Sequence, residues 1–235
     1  KNPQFHWGNF IIFEKAPTGG DLPRWKQLFD QEFTYYPGTH HYTFAWDGRS
    51  GQGQVEEFVA AGFEFETGVV LSTEVLQAPK HLNQDMTIQK ISTDQDWHDV
   101  TELQIACGDP KYALGYRPFK EVQMLQYRKM TEAGLGHWYG AYLDGRLVAD
   151  LGIFHNGPLA RYQSVGTHPD FRRLGLCGTL VYQAGLIAQK EFGVSQLVME
   201  ADDHYHAARI YESVGFKRTE INYSLSWWKR PEGEM

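Results

Sequence analysis

The stretch "FRRLGLCGTL" at positions 171–180 decides how this chain is read. Two arginines precede Gly175, and Leu176, Cys177, Gly178, Thr179 and Leu180 follow at the start of an apolar run. Downstream, Leu176, Leu180, Ala184, Ile187 and Ala188 recur at helical spacing, so the run predicts a helix whose first turn is the quoted stretch. A helix N-terminus exposes unpaired N–H groups and the positive end of the macrodipole. Gly175 and Gly178 let backbone approach a ligand closely. Arg172 and Arg173 add charge and forked donors. Together these features predict a cradle for a pyrophosphate.

Working outward, "TDQDWHDVTELQIAC" (93–107) reads as a helix with a Thr/Asp cap, and "FKEVQMLQYRKMTEAG" (119–134) as a second helix stopped by Gly134. Between 137 and 167, apolar and aromatic runs are broken by Asp144-Gly145 and Asn156-Gly157. These dipeptides suit tight hairpin turns, so three antiparallel strands are expected. "SQLVMEA" (195–201) reads as a buried strand, "HAARIYESVGF" (206–216) as a helix and "EINYSLSWW" (220–228) as a closing strand. The expected order is α-α-β-β-β-α-β-α-β, and the cradle joins the third strand of the meander to a long helix.

Composition bounds the rest. With 235 residues, 42% hydrophobic and 14% aromatic, the chain can bury a core and is no disordered tail. Its net charge is 22 − 29 = −7, so no global basic field draws it to nucleic acid and any phosphate site must be local. Two cysteines, Cys107 and Cys177, are too few for a disulfide framework or a cysteine zinc cluster, and a reducing cytoplasm is the expected compartment. No run approaches the ~18 apolar residues of a membrane helix. No signal peptide is visible, but the chain starts at Lys1 without a methionine, which leaves a removed leader open.

The second half resembles the GNAT superfamily of acetyl-CoA-dependent N-acyltransferases. The family signature [Q/R]-x-x-G-x-[G/A] is met by Arg172-Arg173-Leu174-Gly175-Leu176-Cys177, with a small Cys177 in place of Gly or Ala. The later family helix N-x-x-A-x-x-[L/I]-Y-x-x-x-G-F is matched by "HYHAARIYESVGF" (204–216), from Ala207 through Tyr211 to Gly215-Phe216, with His204 where Asn is usual. The resemblance covers about residues 86–228 in element order. It implies an α/β (α+β) fold with a mixed, mostly antiparallel sheet flanked by helices.

Each of these residues also has a plainer explanation. Arg172 and Arg173 alone are more often a solvated helix start, and Tyr211 alone a core tyrosine with a satisfied hydroxyl. Their placement beside Gly175 and Gly215-Phe216 is what favours a site. Cys177 reads as packing rather than a nucleophile, since no base partner accompanies it. His204 and His206 lie two apart and point away from each other on a helix, so no metal is expected.

The first 85 residues echo the second half. "VEEFVAAGFEFETGVVLS" (55–72) lies over "AARIYESVGFKRTEINYSLS" with an offset of 215 − 62 = 153 between the Gly-Phe pairs. Carried back without gaps, 41–47 falls on the strand at 194–200, 22–33 on the helix after the cradle, and 9–14 on 162–167. Residues 1–76 therefore read as a degenerate half-lobe, strand-helix-strand-helix-strand, from a divergent duplication. Residues 77–85 read as a linker and 86–235 as the catalytic domain. In the first lobe Phe58 stands opposite Tyr211, both arginines are replaced by glycine, and Asp21 and Pro23 oppose anion binding. This lobe is expected to be structural.

What the resemblance implies is transfer of an acyl group from acetyl-CoA, held as co-substrate, to a primary amine by direct attack. The pantetheine arm maps to Ser164 through Thr167, including Val165 and Gly166. There a free backbone N–H would polarise the thioester carbonyl. Arg172 through Thr179, with His204, would hold the pyrophosphate. Tyr211 would protonate the departing sulfur. For the base, Glu200 is the first candidate, with Asp202, His204 and His168 also near the cleft. The expected partners are coenzyme A and a small-molecule or peptide amine; a homodimer stays open. Two other functions fit the same residues: a non-catalytic acyl-CoA sensor or protein-interaction module, and an unrelated phosphate binder using only the glycine turn. Intact Tyr211 speaks against the first. The meander and the missing G-x-x-x-x-G-K-[ST] speak against the second.

Overall fold

The computed structural model describes residues 5, 7–36, 38–108, 113–202 and 207–228, and they fall into two compact units. The first takes in the described parts of Lys1–Val70 and Glu220–Met235, with Asp202. The second takes in those of Leu71–Ala201 and Tyr205–Thr219.

In the first unit, β1 (Ile11–Phe13), α1 (Asp21–Phe33), β2 (His41–Asp47), α2 (Glu56–Ala60) and β3 (Glu64–Thr73) follow the expected order. β1 runs parallel to β2, pairing Ile11 with Phe44 and Phe13 with Trp46. β9 (Lys217–Trp228), the last strand of the chain, lies between β2 and β3. It pairs antiparallel with β2 from Trp228↔His41 to Asn222↔Asp47. This ladder draws the chain from Glu220 onward into the first unit, whereas the sequence reading assigned all of 86–235 to one domain.

Alternation in β2 places Tyr42, Phe44 and Trp46 on one face, against Trp25 and Phe29 of α1 and Phe58 of α2. The cluster is aromatic almost throughout. Phe13 stacks on Trp25 at 3.8 Å, and Phe44 meets the edges of Trp25, Phe29 and Phe58. Such pairs contribute about 0.5–1.5 kcal/mol each beyond their buried area.

The second unit adds β4 (Thr87–Lys90), α3 (Asp94–Ala106), α4 (Ala113–Glu132), β5 (Gly136–Leu143), β6 (Arg146–Asn156), β7 (Leu159–Thr167), α5 (Leu176–Phe192), β8 (Gln196–Asp202) and α6 (Ala207–Glu212). Strands β4 to β7 form an antiparallel meander, turned by Asp144-Gly145 and Asn156-Gly157 as expected. β7 then pairs with β8 in parallel. The sheet is mixed and mostly antiparallel, with helices on both faces. Trp138 of β5 packs on Trp97 of α3 and Tyr127 of α4, while its neighbour His137 packs on Phe192 of α5. Side chains one residue apart thus serve opposite layers.

Three details depart from the sequence reading. β4 is missing from it, because a strand of four residues carries little periodicity. α4 begins at Ala113 rather than 119 and contains Pro118; its early turns also hold Gly115 at φ 83°, so the segment is helical without being regular. Residues 77–85 are no loose tether. The Gln77 N–H donates to the Val214 carbonyl, and Asn83 bonds to both Leu174 and Thr179.

Replacing Phe44 with Ala should cost about 3–5 kcal/mol of stability, since the ring is fully buried among six other aromatic rings. Urea denaturation followed by tryptophan fluorescence measures this; a loss below about 1 kcal/mol would mean that the aromatic cluster can collapse around the gap.

Candidate functional site

The cradle forms where β7 hands over to α5. His168 caps a short 3-10 turn at Pro169–Phe171, its side chain accepting from the Asp170 N–H. The Arg172 guanidinium donates to the Thr167 carbonyl at 3.3 Å, which ties the turn to the end of β7. Arg173 takes φ 68° and Gly175 φ 76°, so the backbone folds back twice before the helix starts. Gly175 is the N-cap, and no side chain caps the helix. The contrast with α3 is direct: there Thr93 and Asp96 close a reciprocal capping box. α5 opens uncapped, with two exposed arginines beside it, as an anion at a helix N-terminus requires.

Gly175 is held to glycine twice, by its positive φ and by space, because a Cβ there would lie 2.5 Å from the His81 carbonyl oxygen. Asn83 anchors the same turn: its side chain donates to Leu174 O at 2.9 Å and its N–H to the Thr179 hydroxyl at 2.9 Å. Thr179 in turn donates back to Gly175 O. Thr179 therefore serves the turn itself rather than facing outward, and it is fully buried. Leu176 and Gly178 are buried too. Burial pushes the Cys177 thiol up to about 12, which keeps it neutral and supports packing as its role. Ile210 of α6 would meet a Cβ on Gly178 at 3.6 Å, so α6 abuts the first turn of α5 and brings Tyr211 into the neighbourhood of the cradle. Tyr211 is buried. His204 lies outside the described residues.

β7 and β8 pair only at Leu159↔Gln196, Ala160↔Leu197 and Arg161↔Val198. Beyond that point both strands continue, to Thr167 and Asp202, without pairing to each other. Two strands that part leave backbone groups outside their shared ladder. Glu200 sits on β8 just beyond the paired stretch and holds Arg161 of β7 at 2.8 Å, with both side chains about half exposed.

A bulge in β7 coincides with the parting. Asp150 of β6 pairs with Gly166 and Gly152 pairs with Gln163, so Ser164 and Val165 stand opposite Leu151 alone. Ser164 takes φ 46°, uncommon for a residue with a side chain. Beneath it lies a buried polar cluster that sequence reading missed. Asp150 is fully buried and accepts from Trp138 Nε1 at 2.9 Å and Gln104 Nε2 at 2.8 Å. Gln104 also donates to Ser164 O at 2.7 Å. Lys120 Nζ donates to Gln104 Oε1 at 3.1 Å and Gln123 Oε1 at 2.9 Å.

Gly166 owes its identity to this cluster, since a Cβ would lie 2.8 Å from Asp150 Oδ1 and 2.9 Å from Gln104 Nε2. A signal was present in the sequence. Gln104 follows Trp97 and Val100 at spacings of seven and four, the core-facing stripe of α3, and Asp150 interrupts an apolar strand; a polar residue at such positions needs a partner.

Desolvation raises the Asp150 carboxyl to about 7, partly offset by its two hydrogen bonds and by the Lys120 charge, and it lowers Lys120 to about 8. Among the described residues no group of three or more His, Cys, Asp or Glu is placed to hold a metal, and no helix is long and apolar enough to cross a membrane.

The first unit repeats the cradle's backbone without its chemistry. Gly20 caps α1 with φ 85° and ψ 3°, against 76° and 1° at Gly175. Phe58 O accepts from the N–H groups of Ala61 and Phe63, as Tyr211 O accepts from those of Val214 and Phe216. The offset is 175 − 20 = 155 at the caps and 216 − 63 = 153 at the helix ends, so the register is not ungapped: the first copy holds two more residues between its cap and its second helix. Thr18 rather than a glycine then stands opposite Arg173. In α1 the site is filled from within. The Leu22 N–H donates to Glu57 Oε1 at 3.1 Å, and Asp21 accepts from Thr18 N and Oγ1 at 2.8 Å.

A meander followed by a parallel strand, a bulge where the two strands part, and an uncapped helix with Arg and Gly at its start define an acyltransferase fold of the GNAT type. Residues 134–218 match the model of the acetyltransferase (GNAT) domain. No curated protein matches it in sequence.

Among solved structures it is similar to a functionally unknown conserved protein from Staphylococcus epidermidis, at 15% identity, TM-score 0.73, over 97% of this chain and 88% of that one. A GCN5-related N-acetyltransferase from Sphaerobacter thermophilus gives 16% identity, TM-score 0.63, over 92% and 71%. A tandem GNAT protein from the clavulanic acid biosynthesis pathway gives 14% identity, TM-score 0.61, over 92% and 77%. At these identities the likeness is one of fold.

The raised Asp150 pKa has a consequence for stability. Between about pH 4 and 7 the folded chain keeps a proton on Asp150 that the unfolded chain has released, so this residue's contribution to stability falls as pH rises through that window. Asp150→Asn removes the dependence. The urea midpoint of the parent should therefore drop relative to that of the variant from pH 4 to pH 7; parallel midpoints across the range would contradict a buried, protonated Asp150.

Proposed function

We propose that this chain transfers an acetyl group from acetyl-CoA to a primary amine by direct attack, at one site per chain. The observation that carries the reading is the uncapped start of α5, flanked by Arg172 and Arg173, at the end of two strands that separate. The pyrophosphate would sit on the N–H groups of the first turn, and Arg173 would add a charge-assisted contact. The pantetheine arm would lie along β7 where β8 has left it. At the corresponding helix start in the first unit Glu57 takes the Leu22 N–H, Asp21 adds negative charge, and no arginine stands at the matching positions, which supports a structural role for that lobe.

The chemistry follows from the bonds. The amine nitrogen attacks the thioester carbon, a C–N bond forms, and the C–S bond breaks with its electron pair going to sulfur. A backbone N–H at the bulge polarises the carbonyl while charge develops on its oxygen. Tyr211 supplies a proton to the leaving thiolate, and the nitrogen gives up one proton, so the balance closes. A phenol carries its proton at neutral pH and donates to a thiolate without prior ionisation. In this reading Glu200 takes the amine proton, once its exposed ion pair with Arg161 opens; exposed pairs are held by only about 0–1 kcal/mol.

Arg173→Glu should weaken acetyl-CoA binding more than tenfold by titration calorimetry, because a charge-assisted phosphate contact contributes about 1.5–3 kcal/mol and the new charge repels. Unchanged affinity would remove the cradle from the mechanism. Tyr211→Phe should keep most of that affinity and lower turnover by about 10²-fold, the lower end for a general acid, because a thiolate leaves fairly readily. Thiol release followed across pH measures it. Parent-like rates at every pH would make Tyr211 a core residue only.

A further inference from the structure

We infer that Gln104 is a positioning residue for acyl transfer: through the Ser164 carbonyl it fixes the peptide plane whose other edge, the Val165 N–H, faces the acyl oxygen. The inference rests on the proposed transferase activity and adds to it a residue that lies outside the motifs at 172–177 and 204–216.

The Gln104 amide has a defined orientation. Lys120 Nζ can only donate while protonated, and the Ser164 carbonyl can only accept, so the amide oxygen must face the first and the nitrogen the second. Both amide hydrogens are then used, on Ser164 O at 2.7 Å and Asp150 Oδ1 at 2.8 Å. Three elements are thereby tied to one side chain: β7 at its bulge, β6 through Asp150 and α4 through Lys120. Gln104 itself is buried on α3, so water does not compete for these bonds.

The geometry of a trans peptide carries the effect onward. The C=O of Ser164 and the N–H of Val165 belong to one rigid plane and point in opposite directions. The carbonyl is held toward α3, so the N–H is directed away from α3. Ser164 reaches this arrangement at φ 46°, a conformation that surrounding contacts must maintain. Within a bulge the ladder is locally broken, so strand pairing alone does not set the plane. Gln104 does so instead, and the close fit of Gly166 against Gln104 and Asp150 leaves the bulge little room to shift. An N–H that must meet a developing oxyanion needs this fixed aim, because donors act through preorganisation.

The test compares Gln104→Met, which keeps the shape and removes both donors, with Gln123→Met, which removes the other partner of Lys120 and leaves the bulge untouched. Gln104→Met should lower kcat about 10- to 100-fold with acetyl-CoA affinity within threefold of the parent, while Gln123→Met keeps kcat within about twofold. Hydrogen exchange at the amides of 164–166 should quicken at least about tenfold in Gln104→Met and stay parent-like in Gln123→Met.

Should Gln104→Met fail to fold, Gln104→Glu keeps the Lys120 contact, offers at most one donor in place of two, and is expected to show the same direction of kcat loss. Equal kcat in the two methionine variants, or unaltered exchange at 164–166, overturns the assignment. A parent protein that binds acetyl-CoA yet transfers to no amine would defeat the transferase reading instead, and the exchange experiment would still decide whether Gln104 holds the bulge.

Discussion

The structure of the second unit turns on the separation of two parallel strands. β7 and β8 share three paired positions and then part, and nothing in either strand's hydrophobic pattern requires them to. The separation is fixed by a bulge in β7, where Ser164 and Val165 face one residue of β6. That extra residue bends the strand and takes its backbone out of the ladder. The stretch of β7 that β8 leaves unpaired contains this one irregularity and runs on to the turn that opens α5. Its cost is met beneath the sheet, where Gln104, Asp150, Trp138 and Lys120 satisfy one another away from water.

Such a cluster is costly to bury and more costly to leave incomplete. The Asp150 carboxyl answers by staying protonated to about pH 7, and Lys120 by losing its proton readily. The pair is therefore poised near neutrality inside the core, beside the strand that forms the cleft wall. Gly166 belongs to the same constraint from the other side: it is small because Asp150 and Gln104 occupy the space a side chain would need.

The same backbone turn occurs twice in the chain with opposite character. Gly20 and Gly175 cap their helices in the same left-handed conformation, and the helix ends at Phe58 and Tyr211 make matching hydrogen bonds. What differs is who answers the helix N-terminus. In α1 the Glu57 carboxylate does so, accepting from the Leu22 N–H, while Asp21 binds back to Thr18. In α5 no side chain caps the helix, and arginines stand beside it. The two starts share backbone geometry, and only the first has a carboxylate of the chain on its first-turn N–H.

The sequence by itself determined the order of the elements apart from β4, both hairpin turns of the meander and the glycine turn that opens α5. Each of these is written in local chemistry: glycines at positive φ, period-2 and period-3.6 apolar patterns, and cations at a helix start. It could not show the polar cluster, because Gln104, Lys120 and Asp150 are separated by 16 to 46 residues and meet only when α3, α4 and β6 pack. Nor could it show the bulge, which is a mismatch between β6 and β7 and has no existence in either strand alone. The ungapped register of the repeat failed for a related reason: a shift of two residues leaves short apolar patterns nearly unchanged, whereas the caps at Gly20 and Gly175 fix it in space. The assignment of β9 also belonged to tertiary structure, since strand pairing depends on a partner, and its partner β2 lies at the other end of the chain.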